Sequence, residues 1–130
     1  MTISAPTGNV LLVTAEPPVP DEMPAIRAAM LAAKCENCPV ALRLRLSSDA
    51  AEPVRLSACE LLQYADLCVI DRASSAVIGV ENQTLHPDPA AALARKLIRR
   101  FGFGGVVLPE EGYARLDSEA ARFVYPFCKL

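Results

Sequence analysis

Long apolar runs are missing from this sequence, and so is an excess of either charge. No stretch approaches the roughly 20 apolar residues that span a bilayer as a helix, so a membrane-spanning helical protein is excluded as an expectation. Thirteen Lys and Arg stand against fifteen Asp and Glu, a net charge of −2. No global basic field therefore advertises nucleic acid or an anionic membrane, and a nucleic-acid site has to be a local patch. The N-terminal residues lack a basic region ahead of an apolar one and carry Pro6 and Gly8, unlike a secretory signal. The cytoplasm is the expected compartment. Histidine is scarce, His86 being the single one. The five cysteines, Cys35, Cys38, Cys59, Cys68 and Cys128, are an odd number, in keeping with reduced thiols. Cys35 and Cys38 have zinc-knuckle or redox spacing. A structural zinc site usually needs two such pairs, and no second one exists. A thioredoxin-type pair opens a helix after a strand, whereas this one follows a helix. It reads instead as small residues in a helix-to-strand turn, and Cys59 and Cys68 read as core.

What is present is a folded chain. Hydrophobic residues make up 52 % of it, with no low-complexity run and no internal repeat. Its 130 residues suit one domain spanning 1–130, with the core at about 25–108. Residues 9–15 (NVLLVTA) are a Val- and Leu-rich run of a buried strand. Residues 16–24 carry Pro17, Pro18, Pro20 and Pro24 and must be a loop or extended turn. Asp21 is a plausible N-cap for an alanine-rich helix over 25–34, with Ile26, Met30 and Ala33 on one face. Residues 40–47 (VALRLRLS) alternate, Val40, Leu42, Leu44 and Leu46 against Arg43 and Arg45, as a half-buried strand does. Residues 56–64 suggest a short helix capped by Ser57, with Glu60 completing a capping box. Residues 67–71 and 77–81 read as two strands of a hairpin, Asp71 being a turn residue. Asp88 caps a helix over 89–101, with Pro89 at its first position and Gly102 at its end. A short strand follows at 106–108, then a helical tail at 117–123. The expected fold is α/β, a single mixed sheet with helices on its faces. The helix-free hairpin argues against a simple doubly wound Rossmann-like fold.

The acids Asp66, at the opening of the first hairpin strand, and Glu81, at the end of the second, sit with Asp71, the Val77-Ile-Gly-Val-Glu81 strand and His86 in a pattern. That pattern resembles the PD-(D/E)xK restriction-endonuclease-like superfamily, in particular small domains of unknown function with an acidic hairpin. The helix over 90–101 and the Gly105-Val-Val-Leu strand also fit, so the resemblance spans about two-thirds of the chain. It implies an αβββαβ core between residues 25 and 108, with an added N-terminal strand and C-terminal helical tail. It implies Mg²⁺ held by Asp66 and Glu81. The motif lysine is replaced by Gln83, which hydrogen-bonds water but is no base, so Gln83 or Lys96 would position the attacking water. Arg95 and Arg99, four apart on one helix face, together with Arg43 and Arg45, would contact phosphates.

The chemistry requires these residue types. Phosphodiester hydrolysis uses a divalent cation to neutralise phosphate and to acidify water, and Mg²⁺ is held by one or two carboxylates plus waters. Against metal ligation stand plainer roles: Asp66 as a strand-entry cap, Glu81 as a solvated strand end, His86 as a loop residue, and the arginines as a solvated face. Three functions follow. One is a nuclease-like domain, active or an inactive nucleic-acid-binding relative. A second is a non-catalytic module for protein interaction or assembly, using residues 16–24 and the tail 125–130. The third is a Rossmann-like enzyme on a small molecule, which a sheet with all strands parallel would favour.

Overall fold

The alternating stretch from Val40 forms the strand at the centre of the molecule. A computed structural model describes residues 2–4, 10–81 and 86–116. In it β3 (Val40–Leu44) lies parallel to β2 (Leu11–Ala15) on one side and to β4 (Leu67–Ile70) on the other. Next comes β5 (Gly105–Leu108), also parallel, and antiparallel β1 (Thr2–Ser4) and β6 (Tyr113–Leu116) close the two edges. The strands lie in chain order, β1 to β6. The fold is a single α/β domain on a mixed sheet.

Parallel neighbours need crossovers, and here these are helical. They are α1 (Met23–Cys35), α2 (Glu52–Tyr64), and α3 (Arg72–Val77) followed by α4 (Pro89–Phe101). Right-handed crossovers between strands in sequential order all pass over the same face. One core cluster accordingly unites Ile26 and Met30 of α1, Leu61 of α2 and Leu97 of α4 with Leu42 and Val106 of the sheet. Burying each such Leu or Ile contributes about 1.5–3 kcal/mol. The opposite face carries Val10, Ala41, Leu67, Val69 and Val107, a separate cluster that contains no helix residue among those described. The helices therefore occupy one face of the sheet rather than both, unlike a doubly wound fold.

Several local expectations hold. Met23, Ile26, Met30 and Ala33 form the buried stripe of α1. Asp88 caps α4 by accepting from the Ala91 amide at 3.2 Å, and Gly102 ends it in the left-handed region at φ 76°. Arg27 of α1 donates two hydrogen bonds to the Glu60 carboxylate of α2 and ties the two helices together. These bonds hold the Glu60 carboxyl below its ordinary value.

Several expectations are corrected. Residues 67–81 are not a hairpin, and residues 77–81 are not a strand. Asp71 accepts from the Ser74 amide at 2.7 Å and caps α3. The fully buried Ser74 hydroxyl then accepts from Leu46 N at 2.8 Å and donates to Leu46 O at 3.3 Å, locking the turn against the end of β3. The αβββ portion of the expected core is thus absent, and strand and helix alternate instead. The helix expected at residue 56 begins at Glu52, with proline in its first turn. Ser57 is no cap: it lies inside α2 and donates back to Pro53 O at 2.9 Å. Asp21 lies in a 3₁₀ turn, Pro20–Glu22, that leads into α1 rather than capping it. Strands β1 and β6 were not expected, being short edges without strong alternation. The helical tail at 117–123 lies outside the described residues.

Candidate functional site

In a parallel sheet every strand ends at the same edge, so the residues just past those ends gather there. Glu16 follows β2, Arg45 follows β3, Asp71 follows β4, and Pro109 and Glu110 follow β5. Arg43 lies two residues before Arg45 and shares its side of the strand. It is in register with Thr14 of β2 and Val69 of β4. Its neighbours Leu42 and Leu44 belong to the helix-side core, so both arginines face away from the helices. These residues line a cavity of about 130 Å³.

The charges around this cavity are near one another without closing. Arg43 Nε lies 4.0 Å from Glu16 Oε1, and Arg45 Nε lies 3.8 Å from Asp71 Oδ2. Hydrogen bonds between such groups span roughly 2.7–3.2 Å. Asp71 is the fixed member, its side chain only 14 % exposed and its other oxygen engaged in capping α3. Next to the lining residues Asp71 and Glu110, Arg72 of α3 pairs with Glu111 after β5 at 2.9 Å.

The opposite edge is built differently. Asp66, just before β4, receives Lys34 Nζ on both oxygens at 2.8 and 2.9 Å. It also accepts from the Val40 amide at 2.8 Å. One carboxylate thus joins the end of α1 to the start of β3 and the entry to β4. Cys38 lines a cleft beside this pair, while Cys35 is exposed at the end of α1.

Glu81 lies in a third place. Its backbone carbonyl accepts from Lys96 Nζ at 2.9 Å, and the two residues line a cleft of about 380 Å³ with Arg99 and Arg100. Arg100 also stacks over the Phe101 ring at 5.7 Å. Arg95 is next to His86 instead. His86 Nδ1 accepts from the Asp88 amide at 2.9 Å. Nε2 faces Arg95 Nη2 at 3.4 Å. His86 thereby serves the entry to α4.

The sequence-derived site residues are therefore distributed. Glu81, Lys96 and Arg99 come together, whereas Asp66 lines a different cleft and is engaged by Lys34. Arg43 and Arg45 line the carboxyl-edge cavity, apart from Arg99. Gln83 lies outside the described residues. Asp66 and Glu81 do not share a cleft, so as a pair they do not fit one Mg²⁺. Among the described residues no group of three or more His, Cys, Asp or Glu is placed to hold a metal ion, and no helix is long and apolar enough to cross a membrane. Sequence reasoning missed Glu16 and Glu110 and read Asp71 as a turn residue. The available signal was positional, since each follows directly on an apolar strand run. It becomes usable only once those strands are known to be parallel. No protein-family model, no curated protein and no solved structure matches the chain.

Proposed function

We propose that this domain binds a small polar molecule at the carboxyl edge of its parallel strands. One observation carries this reading. Residues that follow four successive parallel strands converge on one cavity, and their guanidinium and carboxylate groups stand 3.8 and 4.0 Å apart there rather than closed into hydrogen-bonded pairs. Ligands of open α/β sheets bind outside the carboxyl ends of the strands. A volume of about 130 Å³ is below the roughly 300–1,000 Å³ that encloses a drug-sized ligand. It suits a small molecule or one end of a longer one. The sheet is mixed, with antiparallel edge strands, so the reading rests on the carboxyl edge of β2 to β5 alone, and it assigns no reaction. The test is a set of small charged compounds titrated into ¹⁵N-labelled protein. Saturable shifts centred on the amides of Glu16, Arg43, Arg45, Asp71 and Glu110 are expected. Shifts centred on Lys34 and Asp66, or none at all, would refute it.

A second reading keeps the nuclease-like function, in which Glu81, Lys96 and Arg99 act on a phosphodiester. Their shared cleft supports it. Glu81 would be the carboxylate toward Mg²⁺, Lys96 the group orienting water, and Arg99 the phosphate contact. Mg²⁺ chemistry at such a site acidifies the attacking water. Calorimetry with Mg²⁺ and Mn²⁺ on the wild type and on Glu81→Ala tests this. Binding lost in the variant is expected, and absence of binding in the wild type removes the reading.

A further inference from the structure

We infer that the molecule held at the carboxyl edge is a small zwitterion carrying one carboxylate and one ammonium group, the chemistry of a free amino acid. The inference rests on the small-molecule reading and names its ligand. Both signs of charge line the cavity. Glu16 flanks β2, Arg43 and Arg45 lie at the end of β3, Asp71 follows β4, and Glu110 follows β5. A ligand of a single sign meets repulsion either way: an anion faces three carboxylates, and a cation faces two guanidinium groups. A phosphate dianion is the worst matched, because each of its charges faces acids on both flanks of the arginines. A zwitterion places each end against its opposite.

Geometry supports the same assignment. Both arginines face an acid from beyond hydrogen-bond distance, so their planar donor edges are oriented by the protein yet not consumed by it. A guanidinium edge matches a carboxylate bidentately. Arg43 and Arg45 are two residues apart on an extended strand, about 6.5 Å in rise, so a single carboxylate inserted between them reaches both flexible side chains. Asp71 cannot follow a ligand, since the start of α3 holds it; it is the immobile acceptor against which Arg45 is aimed. Glu16 and Glu110 are then the acids open to an ammonium group. Val69, in register beside Arg43, lies at the floor of the lining.

The experiment is an amide-shift titration of the full chain with each of the common amino acids. Acetate, methylammonium and inorganic phosphate are the single-sign controls. At least one amino acid is expected to shift the amides of Arg43, Arg45 and Asp71 saturably, with an affinity at least about tenfold above every control. Arg45→Gln and Glu110→Gln are both at exposed positions. Each should weaken that binding by about ten- to a hundredfold, the loss of one charged hydrogen bond, with the rest of the spectrum intact. Arg55→Gln, on the exposed side of α2, should leave it unchanged. If phosphate or acetate binds the edge as well as any amino acid does, the zwitterion assignment falls while the small-molecule site stands. If no probe shifts the edge, both fall.

Discussion

The two ends of the same sheet treat charge in opposite ways. At the amino edge, Asp66 is engaged by both a lysine and a backbone amide at 2.8–2.9 Å, and the result is a clasp between α1, β3 and β4. At the carboxyl edge, two arginines and their facing acids stand 3.8 and 4.0 Å apart around a cavity. Both edges are solvent-accessible, so exposure does not explain the contrast. The difference is whether a carboxylate's partner is structural. Asp66 accepts from an amide at the start of the buried strand β3, a donor that would otherwise be orphaned. Among the described residues Arg43 and Arg45 satisfy no backbone group, which leaves them available to something else.

Removing the clasp should have the largest effect on stability. Asp66→Ala leaves the Val40 amide without its acceptor, at a cost of about 1–3 kcal/mol, measured by urea unfolding. Asp66→Asn keeps an acceptor and loses only the ion pair, an exposed contact worth about 0–1 kcal/mol. If the two variants were equally destabilised, the amide would not be the reason for the clasp.

Asp71 bridges the comparison, because it caps α3 and also faces the cavity. Asp71→Ala should cost about 0.5–2 kcal/mol as a lost N-cap, with the same measurement. Asp71→Ser retains capping ability and removes the charge. It should therefore recover most of the stability, while ligand binding stays weakened because Arg45 loses the acceptor that aims it.

Away from both edges, the pairing of Glu60 with Arg27 gives a pH signature. The folded Glu60 carboxyl lies below its ordinary value, chiefly through the Arg27 hydrogen bond. Its contribution is therefore fully present above the unfolded-state value and is lost as pH falls through the depressed folded one. Glu60→Gln should lower stability near neutral pH and flatten this part of the acid decline in Tm, while leaving ligand binding alone. An acid limb with the wild-type slope would count against the pairing.

The smallest stability change belongs to the carboxyl edge itself. Arg43→Gln and Arg45→Gln should each alter unfolding free energy by no more than about 0.5 kcal/mol. A loss of more than 1–2 kcal/mol would mean that this edge is as structural as the other, and the contrast between them would fail.

Much of the fold was legible in local pattern. The Val40 stretch alternates because its strand is buried on one side and charged toward the other at its end. Helix α4 announced itself through Asp88, Pro89 and Gly102, residues whose backbone chemistry starts and stops a helix with little help from elsewhere. The segment after β4 was misread because Asp-Arg-Ala-Ser-Ser satisfies both a turn and a helix cap. What decides between them is the Ser74 hydroxyl meeting Leu46, 28 residues away. The candidate site was hidden for the same reason. Arg43 and Arg45 were visible as a polar strand face, but Glu16, Asp71 and Glu110 are scattered along the chain in turns and loops, where acids are ordinary.

The sequence by itself determined that this is one α/β domain, where most of its strands and helices lie, and which side of β3 is apolar. These follow from hydrophobic period, proline and glycine placement, and capping, all of which act within a few residues. The order and direction of the strands were decided only by tertiary structure, because pairing is a choice among distant segments of similar propensity. Once β2 to β5 ran parallel in chain order, the described helices fell on one face and these four strands ended at one edge. That edge assembled charges no linear motif connects, and it left Asp66 and Glu81, which a motif did connect, in separate clefts.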